Sequence, residues 1–305
     1  MVPTLAFIGP PQVDFSVEKL AGKYMLAGAY NGPLSARNEY LEKHFGSMPY
    51  FESIEVLLEQ EIDLVVCALG KVDVYVDLVK SLALKKPALL IGASDLEIDY
   101  LRKILLTAKE NDVSCYCIES RTAYAWIRLK KAIAENMLGR ALSVTRNSQS
   151  PRLRMQYSGN QNFYSLRALI WALGLEPQVV TSLQNSHDFD FQSTIVKCAD
   201  NIVIRLISQI GYDHFHNAVI EFDSARVALS LGPETKIELI SPSEETQLIH
   251  IQPKKEDIGV VIEEALNGTP NSCMALEQVI MAKLAASAAE TSAAQGVVPI
   301  QVQKV

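Results

Sequence analysis

Arg146, Arg152, Arg154 and Arg167 fall in one stretch of chain with Tyr157, Asn160, Asn162 and Tyr164. Guanidinium forks set among phenols and amides suit the recognition of a carboxylate or a phosphate. A solvated basic loop, or an interface answered by acidic groups of another subunit, accounts for the same residues equally well. A second candidate is the loop Gly9-Pro-Pro-Gln-Val-Asp14, which follows a short apolar run. Amides at a helix N-terminus cradle a pyrophosphate when small residues let it approach. Gly9 holds the first glycine position of such a loop. Pro11 removes an amide at the second, and Asp14 brings a carboxylate to the third. Asp14 also reads as an ordinary helix N-cap.

Further along, Asn31 and Arg37 can meet a ribose hydroxyl or a 2′-phosphate, although Asn31-Gly-Pro33 has the composition of a plain turn. Lys71 follows the third apolar run and can neutralise a phosphate, or be a solvated loop lysine. The histidines are His44, His187, His214, His216 and His250. His214 and His216 share a face if their segment is a strand, but a metal would need a third ligand, so no metal site is expected. Cysteines 67, 115, 117, 198 and 273 lack metal-type spacing and read as buried free thiols suited to a reducing cytoplasm.

The 305 residues carry 28 Lys and Arg against 35 Asp and Glu, a formal charge of −7, which argues against nucleic-acid binding through a cationic face. Hydrophobic residues make up 49% and charged ones 21%, the balance of a globular chain with room for two cores. No stretch has the ~20 apolar residues of a membrane span. No basic, apolar leader opens the chain either. A cytoplasmic protein is expected.

Elements must position these residues. Leu5–Ile8, Tyr24–Tyr30, Leu64–Ala68, Ala88–Ile91 and Val113–Ile118 are continuously apolar, and helical patterns separate them, at 14–23, 35–45 (with Ser35 as N-cap), 53–59, 74–84 and 96–111. That alternation predicts a parallel sheet covered on both faces, a doubly wound Rossmann-type domain over residues 1–120. From 121 to 305 the pattern is different. A helix over 124–136 leads to strands at 142–146, 179–183, 202–207, 218–222, 226–231, 236–240 and 248–251, with short turns between several of them. These predict a large, mostly antiparallel open sheet. Helices are expected at 163–173, 256–266 and 272–289, and a closing strand at 297–302 that can return to the first domain.

The order of parts and several local patterns resemble the Gfo/Idh/MocA family of NAD(P)-dependent oxidoreductases, over nearly the whole chain. Asp63-Leu-Val-Val-Cys-Ala68 followed by Lys85-Lys-Pro-Ala-Leu-Leu90 is similar to its D-A-V-V-I-A-T-P and G-K-P-V-L stretch. Asn136-Met-Leu-Gly-Arg140 is similar to its G-x-I-G-R turn, and Leu173-Gly-Leu-Glu-Pro177 and Ala289-Glu-Thr-Ser-Ala-Ala-Gln-Gly296 to its later motifs. Arg121 stands where the family often has an arginine. The resemblance implies NAD or NADP as cofactor, with Gly9, Gln12, Asn31, Arg37 and Lys71 as the residues placed to hold it.

The family's proton-transfer residues have no counterparts. Ile91-Gly92-Ala93 stands where the family has E-K-P, and Tyr164 and Arg167 replace its His and Asp. A tyrosine near pKa 10 and a permanently protonated arginine make poor bases at neutral pH. The expectation is therefore an oxidoreductase-like protein with weakened or absent cofactor binding. It would act as a non-catalytic ligand sensor or as a partner subunit of itself or of an active paralogue. Arg121, Arg152, Arg154, Tyr164 and Arg167 would then face a small anionic ligand. Exposed apolar residues of the second sheet, Val219, Ile220 and Val227, would need a partner's cover. Two alternatives stay open. One is an active enzyme on a sugar or related molecule that uses Lys71 or Tyr164; the other is a structural assembly protein.

Overall fold

The computed structural model describes residues 2–9, 22–30, 49–68, 73–93, 96–118, 124–150, 161–184, 191–210, 215–230, 235–240, 246–251, 258–268 and 273–305. The helix expected over 35–45, its cap Ser35, and all but the end of the helix expected over 14–23 lie outside them. In chain order, β1 (Thr4–Ile8), β2 (Met25–Tyr30), α1 (Ile54–Leu58), β3 (Leu64–Ala68), α2 (Asp73–Ala83), β4 (Ala88–Ile91), α3 (Ile98–Glu110) and β5 (Cys115–Ile118) come first. Then follow α4 (Tyr124–Ala134), β6 (Ala141–Ser150), α5 (Gln161–Leu173), β7 (Pro177–Gln184), β8 (Phe191–Cys198) and β9 (Val203–Ile210). Next are β10 (Phe215–Phe222), β11 (Arg226–Ser230), β12 (Thr235–Ile240) and β13 (Thr246–Ile251). The chain closes with α6 (Ile258–Leu266), β14 (Met274–Ala275), α7 (Leu276–Ala294) and β15 (Ile300–Gln301).

Two compact units result, Met1–Arg121 with Lys255–Ile280 and Thr122–Lys254 with Met281–Val305. The first holds a sheet ordered β2-β1-β3-β4-β5-β14, parallel except for the short edge strand β14. Strands buried on both faces need no polar alternation, which is why β3 and β4 are buried at every residue. One face places Leu5, Phe7, Leu64, Val66, Leu89 and Ile91 in a core with Val261, Ile262 and Ala265 of α6. Helices α2 and α3 pack together, with the Tyr75 and Tyr100 rings 4.7 Å apart. The second unit holds a nine-stranded sheet ordered β13-β12-β11-β10-β6-β9-β8-β7-β15, antiparallel except between β6 and β9. The expected α/β class stands, with a Rossmann-type parallel sheet and a large, mostly antiparallel one.

Three expectations change. The closing strand stays within the second sheet, because Ile300 and Gln301 pair with Val180 and Val179 of β7. The segment that rejoins the first unit is α6 with β14, which pairs with β5. Strand β8 is missing from the sequence reading, since only Thr194, Val196 and Cys198 are buried and its first four residues, Phe191-Gln-Ser-Thr, are mostly polar. Ile220 and Val227 need no partner, because both are buried on the inner face of their own sheet, while Val219 on the other face is half-buried.

Two residues test the packing of the first unit. Gly28 of β2 has φ +149°, and a Cβ there would come within 2.6 Å of the Pro49 carbonyl and strike the Phe51 ring. Gly28→Ala should lower the stability by about 1–3 kcal/mol in urea unfolding. Glu55 accepts from Lys80 Nζ at 2.6 Å and from the Ser53 hydroxyl at 2.7 Å, and Lys80 first and Ser53 second lower its pKa from 4.5 to about 2. A depressed carboxylate stabilises fully above pH 4.5 and loses that contribution as the pH falls to about 2. Glu55→Gln should flatten the stability profile across that window, measured by unfolding at successive pH values.

Candidate functional site

In the first unit, β1 lies between β2 and β3, so the chain turns in opposite directions on either side of the β1/β3 boundary. Such a switch point, at the carboxyl ends of parallel strands, is where this architecture binds ligands. Gly9 sits there. Its φ is +75°, its amide donates to the Tyr30 carbonyl at 2.9 Å, and a Cβ would stand 2.6 Å from the Ala68 carbonyl oxygen that ends β3. Only glycine fits that turn without strain. The geometry suits the first glycine of a dinucleotide loop. Gln12, Asn31, Arg37, Lys71 and Arg121 follow the carboxyl ends of β1, β2, β3 and β5 in sequence and lie outside the described residues. Burial, and then Asp77 and Glu55, raise the pKa of Tyr30 at the same edge. Ile91, which ends β4, and Ala93 just after it are buried.

The second unit builds a different environment. Pairing registers place three ranks of residues across one face of its sheet. The first rank, Ile220, Val144, Ile204, Val196 and Val180, is apolar throughout. The second, Ala218, Arg146, Leu206, Thr194 and Ser182, is mixed, and the third, His216, Ser148, Ser208, Gln192 and Gln184, is wholly polar. One sheet face thus runs from apolar core to wholly polar rank within four residues per strand. Hydroxyls join the ranks laterally, Ser148 with Ser208 at 2.9 Å and Ser182 with Thr194 at 2.8 Å, both pairs buried. The Gln192 side-chain amide donates to the Ser182 hydroxyl at 3.3 Å.

Helix α5 supplies the remaining side chains. Its period brings Tyr164 and Arg167 to one side. The Arg167 guanidinium lies 5.2 Å from the Tyr164 ring centre and 5.5 Å from that of Phe163, while Lys283 lies 5.2 Å over Phe163. Arg146 of β6 reaches the same helix, donating from Nη1 to the Ser165 carbonyl at 3.4 Å, and lies 5.7 Å from the Trp126 ring centre. Both arginines are buried, Arg146 at 8% exposure and Arg167 at 4%. Burial, and then the neighbouring Arg167 cation, lower the pKa of Arg146 to about 10. The structure thus brings Arg146, Tyr164 and Arg167 into one neighbourhood, and the reading of these two arginines as a solvated basic loop is corrected. Arg152, Arg154, Tyr157 and Asn160 lie outside the described residues.

Several participants escaped the sequence reading. Ser148 follows Arg146 at the strand period and was legible as a same-face neighbour. Ser208 required knowing that β6 and β9 run parallel in that register, and nothing in the sequence marks Trp126 as a neighbour of Arg146. Four of the cysteines are buried and Cys115 is half-buried, all as free thiols. Burial raises the pKa of Cys67 and Cys115, and takes that of Cys198 to about 12, which removes thiolate chemistry near neutral pH. Among the described residues no group of three or more His, Cys, Asp or Glu side chains can hold a metal ion. No helix among them is long and apolar enough to cross a membrane.

Comparison with known proteins places this geometry in a fold. No protein-family model and no curated protein sequence matches the chain. Solved structures do. An oxidoreductase from Agrobacterium radiobacter in complex with NAD+, L-tartaric acid and magnesium matches with a TM-score of 0.74 at 13% identity, covering 99% of each chain. UDP-N-acetylglucosamine 3-dehydrogenase from Acidithiobacillus ferrooxidans matches with a TM-score of 0.72 at 13% identity, over 97% of this chain and 99% of that one. An aldose-aldose oxidoreductase from Caulobacter crescentus, complexed with glycerol, matches at 0.69 and 11% identity, over 99% of this chain and 100% of the other.

The chain has an oxidoreductase fold. At these identities the likeness carries the fold and leaves the chemistry to the residues themselves. Gly9→Ala should destabilise the first unit by about 1–3 kcal/mol, through strain at positive φ and the collision with the Ala68 carbonyl. Calorimetric unfolding of the variant beside wild type measures the loss.

Proposed function

We propose that this chain is a ligand-binding protein on an oxidoreductase fold, one that does not carry out the hydride chemistry of that fold and binds NAD(P) weakly or not at all. The observation that carries the reading is Arg167. Where the resemblance puts an acid–base pair, α5 offers Tyr164 and a buried arginine stacked on two rings. A guanidinium stays protonated at any working pH and so cannot accept the proton that accompanies hydride transfer. At the positions of the missing lysine motif, the buried Ile91 and Ala93 offer no proton donor or acceptor. The small ligand would meet Tyr164 and Arg167; Arg152 and Arg154, and separately Arg121, are the further candidates that the sequence offers.

One observation favours a second reading, an active NAD(P)-dependent oxidoreductase on a sugar or related small molecule. Gly9 keeps the turn that a dinucleotide loop requires at the β1/β3 switch point. A nicotinamide cofactor would supply the hydride acceptor or donor. Gly9, Gln12, Asn31, Arg37 and Lys71 would hold it, with Lys71 or Tyr164 handling the proton. Against tight binding, Pro11 lacks an amide and Asp14 is a carboxylate where phosphate charge would lie.

Titration with NAD(H) and NADP(H), followed by fluorescence, separates the two. The first reading expects no saturation in the micromolar range and no turnover of polyols or aldoses. Micromolar binding, with turnover that Lys71→Ala or Tyr164→Phe abolishes, would establish the second. Partnership with a second copy or an active paralogue belongs to the first reading and is tested by mass measurement after co-expression.

A further inference from the structure

Helix α7 ends in a turn that suits its first residue and strains its second. The Gly296 amide donates to the Ala293 carbonyl at 3.3 Å and the Val297 amide to the Ser292 carbonyl at 2.9 Å, the paired bonds of a glycine-closed helix end. Gly296 has the left-handed backbone such an end calls for, at φ +79°, but Val297 has it as well, at φ +70°. A β-branched side chain crowds its own backbone there, and the conformation persists only where the surroundings impose it. Strand β15 imposes it. Ile300 and Gln301 pair with Val180 and Val179 of β7, and the Val302 amide donates to the Gln178 carbonyl at 2.8 Å. Because β15 ends the sheet, β7 is its one neighbouring strand. The link between turn and strand cannot share the bend. Pro299 has a fixed φ and Val298 before it is confined to extended backbone, so the reversal falls on Gly296 and Val297. Val297 and Val298 are also 40% and 45% exposed.

We propose that two copies of this chain exchange β15, each copy's strand adding to the β7 of the other. The exchange remakes every β7–β15 hydrogen bond with identical residues, so no pairing is lost. What it gains is relief at Val297, once in each copy, because a strand that leaves its own sheet no longer needs the reversal. Val297, Val298 and Pro299 then form one extended segment leading out to the partner. Where the two segments pass each other, their exposed valines can cover one another and leave water. The cost is the freedom lost when two chains join, which rising concentration offsets. This assembly concerns the edge of the sheet and stands independently of the ligand reading above.

Val179 and Gln301 stand directly opposite each other, the first half-buried and the second exposed, so cysteines placed there report whose β15 lies on whose β7. Val179→Cys and Gln301→Cys are put into separate full chains, tagged to differ in length, co-expressed and oxidised gently. Non-reducing electrophoresis should show the two different chains linked, in excess of any band from either variant expressed alone. Light scattering on the unmodified chain should show a dimer whose share rises with concentration. Val297→Gly removes the strain from the unexchanged form and should weaken that dimer at least ~10-fold. Val297→Pro cannot adopt φ +70° and should stay dimeric at dilutions where the unmodified chain dissociates. If Val297→Pro does not fold, the cysteine pair and Val297→Gly decide the matter without it. A chain that is monomeric at every concentration overturns the proposal. So does a dimer in which the co-expressed cysteine variants fail to link, or one that Val297→Gly leaves unchanged, since either result means a different contact surface.

Discussion

The register of β6 within the nine-stranded sheet is the constraint on which the second unit depends. This strand pairs antiparallel with β10 and parallel with β9, and each pairing fixes which of its side chains face the helices. A slip of one residue would turn Val144, Arg146 and Ser148 outward and bring Ser143, Thr145 and Asn147 against the core. Burial of Val144, Ile204, Ile220, Val196 and Val180 as one rank is what resists that slip, each aliphatic side chain contributing roughly 1.5–3 kcal/mol on leaving water. The polar ranks are held in place by the apolar one. A charged residue such as Arg146 remains inside because the strand that carries it cannot rotate it out without exposing Val144.

Helix packing completes that environment. Helix α4 brings Trp126 near Arg146, α5 brings Ser165 and Arg167, and Ser292 of the alanine-rich α7 accepts from the Ser182 amide of β7 at 2.9 Å. Ala282, Ala285, Ala286 and Ala289 are buried, and their small size lets α7 approach its neighbours closely. Long side chains at those positions would hold the helix away and leave the Ser182 amide without its acceptor. The first unit relies on a comparable economy of volume at Gly9, where the Ala68 carbonyl leaves no room for a side chain.

Much of this architecture was legible from patterns alone. Continuous apolar runs at Leu5–Ile8, Leu64–Ala68 and Ala88–Ile91 could only be strands covered on both faces, and the helical periods between them implied parallel connections. Strand β8 was not legible, because Phe191-Gln-Ser-Thr is too polar to announce a strand and becomes one by pairing on both sides. Ile220 and Val227 were read as exposed since alternation shows that a strand has two faces without saying which is covered. Their burial within the second unit settles that.

The candidate site divides in the same way. Local sequence determined the residue types, including the guanidiniums of Arg146 and Arg167, the phenol of Tyr164, and a glycine at the first turn. It determined the strand and helix periods that put Arg146 with Ser148, and Tyr164 with Arg167. The tertiary structure alone decided that two arginines 21 positions apart in the chain lie together and buried. It also decided that Ser208 stands beside Ser148 and that Trp126 meets Arg146. These neighbours come from strands and helices far apart in sequence. Their proximity follows from burying many aliphatic side chains at once, a sum over the whole unit that no local pattern contains.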